Sequence, residues 1–343
     1  MWVKGEYHDD FTNVRKVSRE GLSRESQPHL FDRVDWLENL YKHCLSGYPP
    51  LFLRARAEGA EGWLFLYHRR TGEYHALANW YNFSFRPVFS GNHDEKIRRA
   101  LLKAMARRLR GRAAHIVLYP VVDEDGAVDS LLSAFRAAGW AAFAQPVDRN
   151  HFLDLEGRDF DSYWSARPGA VRSTVDRKLA KFPLELEIHD RFSPEIWEEY
   201  EAVYENSWKP EEGSLSFLRA IAEHEGQAGH LRIGIARSEG VAVAAQFWTV
   251  ENGAALIHKL AHREDAGAGS PGTLLSYAMF RHVIDVDKVE RIDFGTGDDA
   301  YKRDWMEDER PLYRIDLYNL RRPSSWFPAL KAFISGLVRS RKT

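Results

Sequence analysis

Arg291-Ile-Asp-Phe-Gly-Thr-Gly-Asp-Asp-Ala-Tyr-Lys-Arg-Asp-Trp305 is the stretch that decides the fold of this chain. Ile292 and Phe294 alternate with polar residues as in a half-buried strand. Gly295 and Gly297 then allow a sharp exit and a close backbone approach. Asp298, Asp299, Tyr301 and Lys302 crowd titratable groups just past that exit. Upstream, Ala266-Gly-Ala-Gly-Ser-Pro-Gly272 leads into the apolar run Thr273–Ile284, a glycine-rich loop opening a helix. A helix N-terminus offers unpaired N–H groups and the positive end of a dipole, both suited to phosphate. Strand, glycine-rich loop, helix and a second strand ending in polar residues is an order that suits a phosphate-bearing ligand.

Working outward, the second half predicts Leu231–Ala236, Val241–Val250 and Ala254–His262 as a meander, with Glu251-Asn-Gly253 as a hairpin turn. Helices are expected at Phe160–Phe182, interrupted near Pro168-Gly169, and at Pro194–Trp208 and Leu215–Glu225. Leu312–Tyr318 is a last strand. The first half has strands at Pro50–Arg56, Gly62–Tyr67 and Tyr74–Trp80. An amphipathic helix over His93–Arg110, a buried strand at His115–Tyr119 and a helix over Val128–Ala138 follow. Element order therefore gives two copies of a meander, helix and strand unit, without a repeat at the level of sequence. Antiparallel strands that cross over through a helix define an α+β class with mixed sheets flanked by helices.

The chain has 343 residues, enough for two domains, with 44% hydrophobic and 29% charged residues. Its 48 basic and 50 acidic residues leave a net charge of −2, so bulk polyanion binding is not expected and nucleic acid is a poor partner. The 11 tryptophans imply either a greasy cleft or aromatic cores. One cysteine, Cys44, excludes an internal disulfide and a multi-cysteine zinc site. Neither a signal-peptide pattern nor a run long enough to cross a membrane is read from the sequence, so a cytoplasmic location is expected. The tail is separate in character. Trp326, Leu330, Phe333, Ile334, Leu337 and Val338 share one helical face, and Lys331, Arg339, Arg341 and Lys342 supply positive charge. That pattern suits an interfacial helix on anionic lipid, with a terminal helix packed on its domain as the competing reading.

Three motifs carry a family resemblance. They are Arg172-Ser-Thr-Val-Asp-Arg-Lys-Leu-Ala-Lys181, Ser270-Pro-Gly-Thr-Leu-Leu275 and Asp293-Phe-Gly-Thr-Gly-Asp-Asp-Ala-Tyr-Lys302. Through them, Phe160 to Asn319 resembles the FemAB-like, GNAT-fold acyltransferases of the cellulose-biosynthesis acetyltransferase type. The resemblance implies a tandem GNAT-like (FemAB-type) fold. Its lobes would be residues 1–150 and 151–320, followed by a basic amphipathic helix over 321–343. It also implies transfer of an acyl group from acyl-CoA to an amine acceptor, with no metal. Some proteins of this kind are bacterial ceramide synthases, which acylate a sphingoid base, and the lipid-facing tail leans that way. Alternatives are an acetyltransferase of polysaccharide biosynthesis, a tRNA-dependent aminoacyltransferase and a non-catalytic acyl-CoA or membrane-binding scaffold.

Direct acyl transfer needs a base for the ammonium, a polarised thioester carbonyl and a proton for the leaving thiolate. The resemblance assigns carbonyl polarisation to a backbone N–H of the strand Ala254–His262. His258 is the first candidate base, because its ordinary pKa suits proton transfer near neutrality; a core histidine is the competing reading. Asp298 is the alternative base or a loop cap. Tyr301 is the candidate acid for the thiolate, and Lys302 a partner for phosphate or for Asp298. Gly267, Gly269, Ser270, Gly272 and Thr273 would cradle a pyrophosphate, with Arg263 adding charge. That loop departs from the Arg/Gln-x-x-Gly-x-Gly/Ala pattern of simple GNAT enzymes. Arg172, Arg177, Lys178 and Lys181 form a basic stripe for the CoA 3′-phosphate, tRNA or a lipid headgroup, or a solvated face. Trp80-Tyr-Asn-Phe-Ser-Phe85 lines an acyl channel or a core. No His-Glu-x-x-His, kinase loop set or nucleophile elbow accompanies these residues.

Overall fold

The computed structural model describes residues 3–124 and 126–340, with side chains through Gly336. In chain order it runs β1 (Lys4–His8), α1 (Phe11–Ser18), α2 (Val34–Leu40), β2 (Pro50–Ala57), β3 (Ala60–Arg70), β4 (Glu73–Ala76) and β5 (Val88–Gly91). It continues with α3 (Glu95–Leu109), β6 (His115–Val122), α4 (Ala127–Arg136), β7 (Trp140–Asp154), α5 (Phe160–Ser165), α6 (Gly169–Lys181) and β8 (Glu185–His189). Then come α7 (Pro194–Glu205), α8 (Leu215–Gln227), β9 (Leu231–Ser238), β10 (Val241–Glu251), β11 (Ala254–His262), α9 (Pro271–Asp285), β12 (Arg291–Thr296), β13 (Asp308–Asn319) and α10 (Trp326–Ser340).

Two compact units result, residues 1–149 with 310–343, and residues 150–309. The final strand therefore belongs with the first unit, although its sequence position groups it with the second lobe. Strand pairing decides this. Ile315 to Tyr318 on β13 pair antiparallel with Leu118 to His115 on β6. A single strand, β7, spans Trp140–Asp154.

In the first unit, β1, β2 and β3 form an antiparallel meander, and β4 joins β6 in parallel. The amphipathic α3 buries Leu101, Leu102, Met105, Ala106 and Leu109 against Leu53, Leu64 and Leu66 of the meander. Asp94 caps the helix by accepting from the Ile97 N–H at 2.7 Å. On β6, His115 bonds Asp316 at 2.8 Å and approaches Glu73 at 3.4 Å, while Arg314 holds Asp316 at 2.9 and 3.0 Å. Burial raises the Asp316 pKa, but the bonds from His115 and Arg314 outweigh it and hold the carboxyl at about 2. A carboxyl lowered on folding stabilises the fold above its unfolded value, and that contribution disappears as pH falls through about 2. Asp316→Asn is expected to cost about 2 kcal/mol at neutral pH, the deficit vanishing toward about pH 2. Denaturant melts from pH 7 downward measure this. A deficit independent of pH would assign the loss to packing instead.

The second unit is built around the antiparallel run β8–β9–β10–β11, with β12 parallel to β11 and residues 150–154 of β7 antiparallel to β12. Helix α9 is apolar on most of its surface because it is covered. Leu274, Leu275, Met279, Phe280, Val283 and Ile284 are all buried. Gly234 on β9 permits this close approach, since a Cβ there would lie 2.6 Å from Met279 Sδ. Pro168 precedes α6, at the break expected between α5 and α6. Aromatic residues account for much of both cores. Trp63 stacks on Phe65 at 5.6 Å in the first unit, and Trp197 on Tyr200 at 4.7 Å in the second. No helix among the described residues is long and apolar enough to cross a membrane.

Candidate active site in the second unit

The second unit contains a splayed strand pair. β11 and β12 pair only over Ala254–Leu256 against Arg291–Asp293. Beyond that, β12 turns away through Gly295 and Gly297, at φ 69° and 101°, values that favour glycine. The buried Asp293 carboxylate fixes the departure, accepting from the Gly295 N–H at 2.8 Å and the Asn150 amide at 2.6 Å. β11 runs on to His262 with a register shift against β10, where Phe247 faces Lys259 and Trp248 faces Ile257. His258 is the extra residue of this bulge. Among the described residues the ladder between β11 and β12 ends at Leu256 and Asp293, so the two strands diverge and open a crevice between them.

α9 opens beside this crevice. Ser270 precedes it in the left-handed region at φ 52°, Pro271 takes the first helical position, and no side chain caps the helix. Thr273 and Leu274 N–H return to the Ser270 carbonyl, while the Gly272 N–H has no hydrogen-bond partner among the described residues. Gly272 lets the helix approach β11, because a Cβ would sit 3.1 Å from His262 Cδ2. Gln246, fully buried on β10, donates to the Gly272 carbonyl at 3.3 Å and Ser276 Oγ at 2.8 Å, pinning the first turn. Gly267 and Gly269 lie in a 3-10 turn over Glu264–Gly269, where the Lys178 ammonium donates to the Ala268 carbonyl. Ser270, Gly272 and Thr273 thus lie at the start of α9, and the Lys178 ammonium rests on the loop that precedes it. Arg263 is instead paired with Asp265 at 3.0 Å, and Arg172 Nε donates to the Arg167 carbonyl at 3.1 Å.

The titratable candidates separate into distinct roles. His258 bonds Thr249 Oγ1 at 2.9 Å and stacks on Phe247 at 5.1 Å. Desolvation of its ring lowers its pKa to about 3, so it is neutral and a weak base near pH 7, which corrects the expectation of a base poised for neutrality. Asp298 accepts from His151 at 2.9 Å and Arg303 at 2.5 Å, and these bonds hold its carboxyl below the usual range. It is thus committed as an acceptor rather than poised as a base. Lys302 is buried with its ammonium on the Thr296 carbonyl at 2.5 Å and the Gly297 carbonyl at 3.2 Å. Its nearby carboxylate is Asp299 at 3.9 Å, not the expected Asp298, so Lys302 closes the turn after β12. Tyr301 packs edge-on against Phe294 at 5.6 Å, and its hydroxyl makes no hydrogen bond among the described residues. Burial, then the charge of Asp299, pushes its pKa up to about 12, so the proton stays on.

One group escaped sequence reading. Lys209, on the loop between α7 and α8, lies within electrostatic reach of Lys259, Glu212, Asp299 and Lys302. Lys259 is paired with Glu212 at 2.8 Å. The Lys209 ammonium has no hydrogen bond or ion pair among the described residues. Its desolvation, then repulsion from Lys259, lowers its pKa to about 8. In sequence, Trp208-Lys-Pro-Glu-Glu-Gly213 reads only as a solvated turn; the convergence with β11 and β12 is tertiary. His151, Asp298 and Glu309 also offer ligand atoms within 4.8 Å of one another, but Arg303 already occupies the Asp298 oxygen that His151 bonds.

The first unit has the same three-pair parallel ladder, Glu73–His75 against His115–Val117. There its own chain occupies the splay. Phe85 N–H bonds the Pro120 carbonyl of β6 at 2.5 Å, and Tyr81, Phe83 and Phe85 are buried. The aromatic run is therefore core rather than an acyl channel, with Trp80 left exposed.

The comparisons agree with this geometry. Residues 164–303 match the family model described as an acetyltransferase (GNAT) domain. The fold is accordingly GNAT-like in the second unit, within a FemX-like tandem fold. The crystal structure of FemX is similar with TM-score 0.60 at 12% identity, covering 92% of this chain and 97% of that one. The C-terminal domain of a putative lysylphosphatidylglycerol synthetase from Agrobacterium fabrum gives 0.54 at 17% identity, with 81% and 84% covered. A tandem GNAT protein from the clavulanic acid biosynthesis pathway gives 0.51 at 14%, with 92% and 98% covered. At these identities the likeness carries the fold and not a substrate. A search of curated proteins finds no match.

Proposed function

We propose that this protein is an N-acyltransferase that moves an acyl group from an acyl-CoA thioester directly to an amine. The observation that carries the reading is the open β11–β12 crevice beside the uncapped start of α9. Gly272 and Thr273, with Lys178 of α6 reaching the loop before α9, would hold the pyrophosphate. The neutral Lys209 amine takes a proton from the acceptor ammonium, and the freed nitrogen attacks the thioester carbonyl carbon. Negative charge developing on the carbonyl oxygen is met by N–H groups of β11 past the bulge. The tetrahedral adduct loses its surplus N–H proton to water as the C–S bond breaks, the thiolate takes the Tyr301 proton, and an amide and free CoA leave. Both side chains then regain their starting protonation from water.

The acceptor we favour is an amine on a lipid, of which a sphingoid base is one example. A second donor to be tested is aminoacyl-tRNA, which the resemblance of the sequence to FemAB-like acyltransferases also allows. The test incubates the protein with acetyl-CoA, palmitoyl-CoA or aminoacyl-tRNA, with and without long-chain amines, following free thiol and N-acylated product. Thiol release that requires both acyl-CoA and amine is the expected result. Absence of CoA binding would overturn the acyl-CoA reading, and product formed only from aminoacyl-tRNA would replace it with the second.

A further inference from the structure

The start of α10 is fixed to the first unit at the turn after α3. Ser325 Oγ donates to the Ala114 carbonyl at 2.8 Å, Arg322 to the Gly111 carbonyl at 2.9 Å, and the Trp326 indole N–H to the Leu320 carbonyl at 2.9 Å. The helix touches the unit along a narrow side, where Ala329 is buried. Its apolar face points away. Trp326 is 58% exposed, Phe327 76%, Leu330 55%, Phe333 51% and Ile334 51%. At helical spacing these five side chains fall within an arc of about 120°. A contiguous, aromatic-rich stripe left uncovered on an otherwise well-packed unit marks an interaction surface.

Charge says what covers it. From Leu317 to Thr343 the sequence holds six basic residues, Arg321, Arg322, Lys331, Arg339, Arg341 and Lys342, and no acidic one, in a chain of net charge −2. Beside the root of α10, Arg110 is disfavoured as a cation first by its surroundings and then by repulsion from Arg321 and Arg107. The fold thus assembles like charges around the exposed stripe. Leu337, Val338 and Arg339 extend the pattern in sequence, though their side chains, with Arg341 and Lys342, lie outside the described residues.

We infer that α10 and the adjoining arginines dock this protein on an anionic lipid bilayer surface. Over its described residues α10 has 15 residues, which at about 1.5 Å per residue is less than the hydrocarbon core is thick. It lies in the interface plane, with the aromatic stripe among the acyl chains and the cations at the headgroups. A second copy of the chain is the poorer occupant, because a two-fold contact would set one basic patch against its equal. The inference is independent of the acyl-transfer chemistry.

The test is co-sedimentation of the full chain with vesicles of phosphatidylcholine alone or with about 30% phosphatidylglycerol. The wild-type chain should bind the anionic vesicles and release in about 0.5 M salt. The triple variant Phe327→Glu, Leu330→Glu, Ile334→Glu, all at exposed positions, should lose at least about tenfold in bound fraction. The variant Arg110→Gln, Arg321→Gln, Lys331→Gln should bind like wild type on neutral vesicles and lose its preference for anionic ones. Equal binding by wild type and the triple glutamate variant, equal binding to neutral and anionic vesicles, or a stripe-dependent dimer in sedimentation equilibrium without vesicle binding would each overturn the inference. Turnover of acetyl-CoA with a soluble amine should match wild type in both variants, so a failure here is separable from failure of the catalytic reading.

Discussion

Gly272→Asp is expected to weaken CoA binding by about 10²–10³-fold while leaving the protein folded. Gly272 occupies the second position of α9, where the helix has no side-chain cap. The added Cβ meets His262 Cδ2 at 3.1 Å, a contact that a small ring shift relieves. A carboxylate in the first turn of a helix is itself stabilising, by about 0.3–1 kcal/mol. Facing a bound pyrophosphate, the same charge is repelled by roughly 3–4 kcal/mol at 4–5 Å and an effective dielectric near 20. That repulsion converts to the stated factor. Calorimetric titration with CoA measures it, with Gly272→Ala as the control that keeps the Cβ and omits the charge. If the aspartate variant bound CoA as wild type does, the pyrophosphate would not sit on α9.

Lys209→Met should lower kcat by about 10²-fold and yet make the protein more stable at neutral pH. Both effects follow from one shift. Desolvation first, then Lys259, lowers the Lys209 pKa from 10.5 to about 8. As a base it acts in its neutral form, so kcat/KM should rise with pH and level off above about 8. The methionine variant should lack that limb. For stability the sign is reversed. Between about 8 and 10.5 the unfolded chain binds more protons than the folded one, so folding is penalised below about 8 and relieved as pH rises. Removing the ammonium should therefore stabilise the fold at pH 7 by on the order of 2–3 kcal/mol. Tyr301→Phe gives a companion result, a lower kcat with CoA affinity unchanged, because the residue that protonates the thiolate is not one that holds the pyrophosphate. A methionine variant that kept the wild-type pH profile would remove Lys209 from the proton path.

The predicted elements followed local rules, which is why they were legible. The 3.6-residue period of α3, the hairpin turn at Asn252-Gly253 and the break at Pro168 each depend on residues within a few positions of one another. The glycine-rich loop before α9 and the polar exit of β12 were legible for the same reason, since strand exit and helix start leave local signatures. Two other features have no local signature. β13 pairs with β6, about two hundred residues away in sequence, and only that pairing assigns it to the first unit. The aromatic run at residues 80–85 reads alike as a channel or a core until the Phe85–Pro120 bond places it inside the first unit.

The site divides along the same line. Sequence alone determined the kinds of group available: a phosphate-ready helix start, a tyrosine and carboxylates past a strand, and a basic, apolar tail. Tertiary structure decided which of them act. It placed His258 in a bulge against Phe247, where desolvation removes its basicity near neutral pH, and used up Asp298 and Lys302 in hydrogen bonds. It also brought Lys209 from a plain surface loop to Lys259 and Lys302, where crowding by like charge and loss of water retune it. A residue's chemistry is local, but its pKa and its partners depend on what the fold packs beside it.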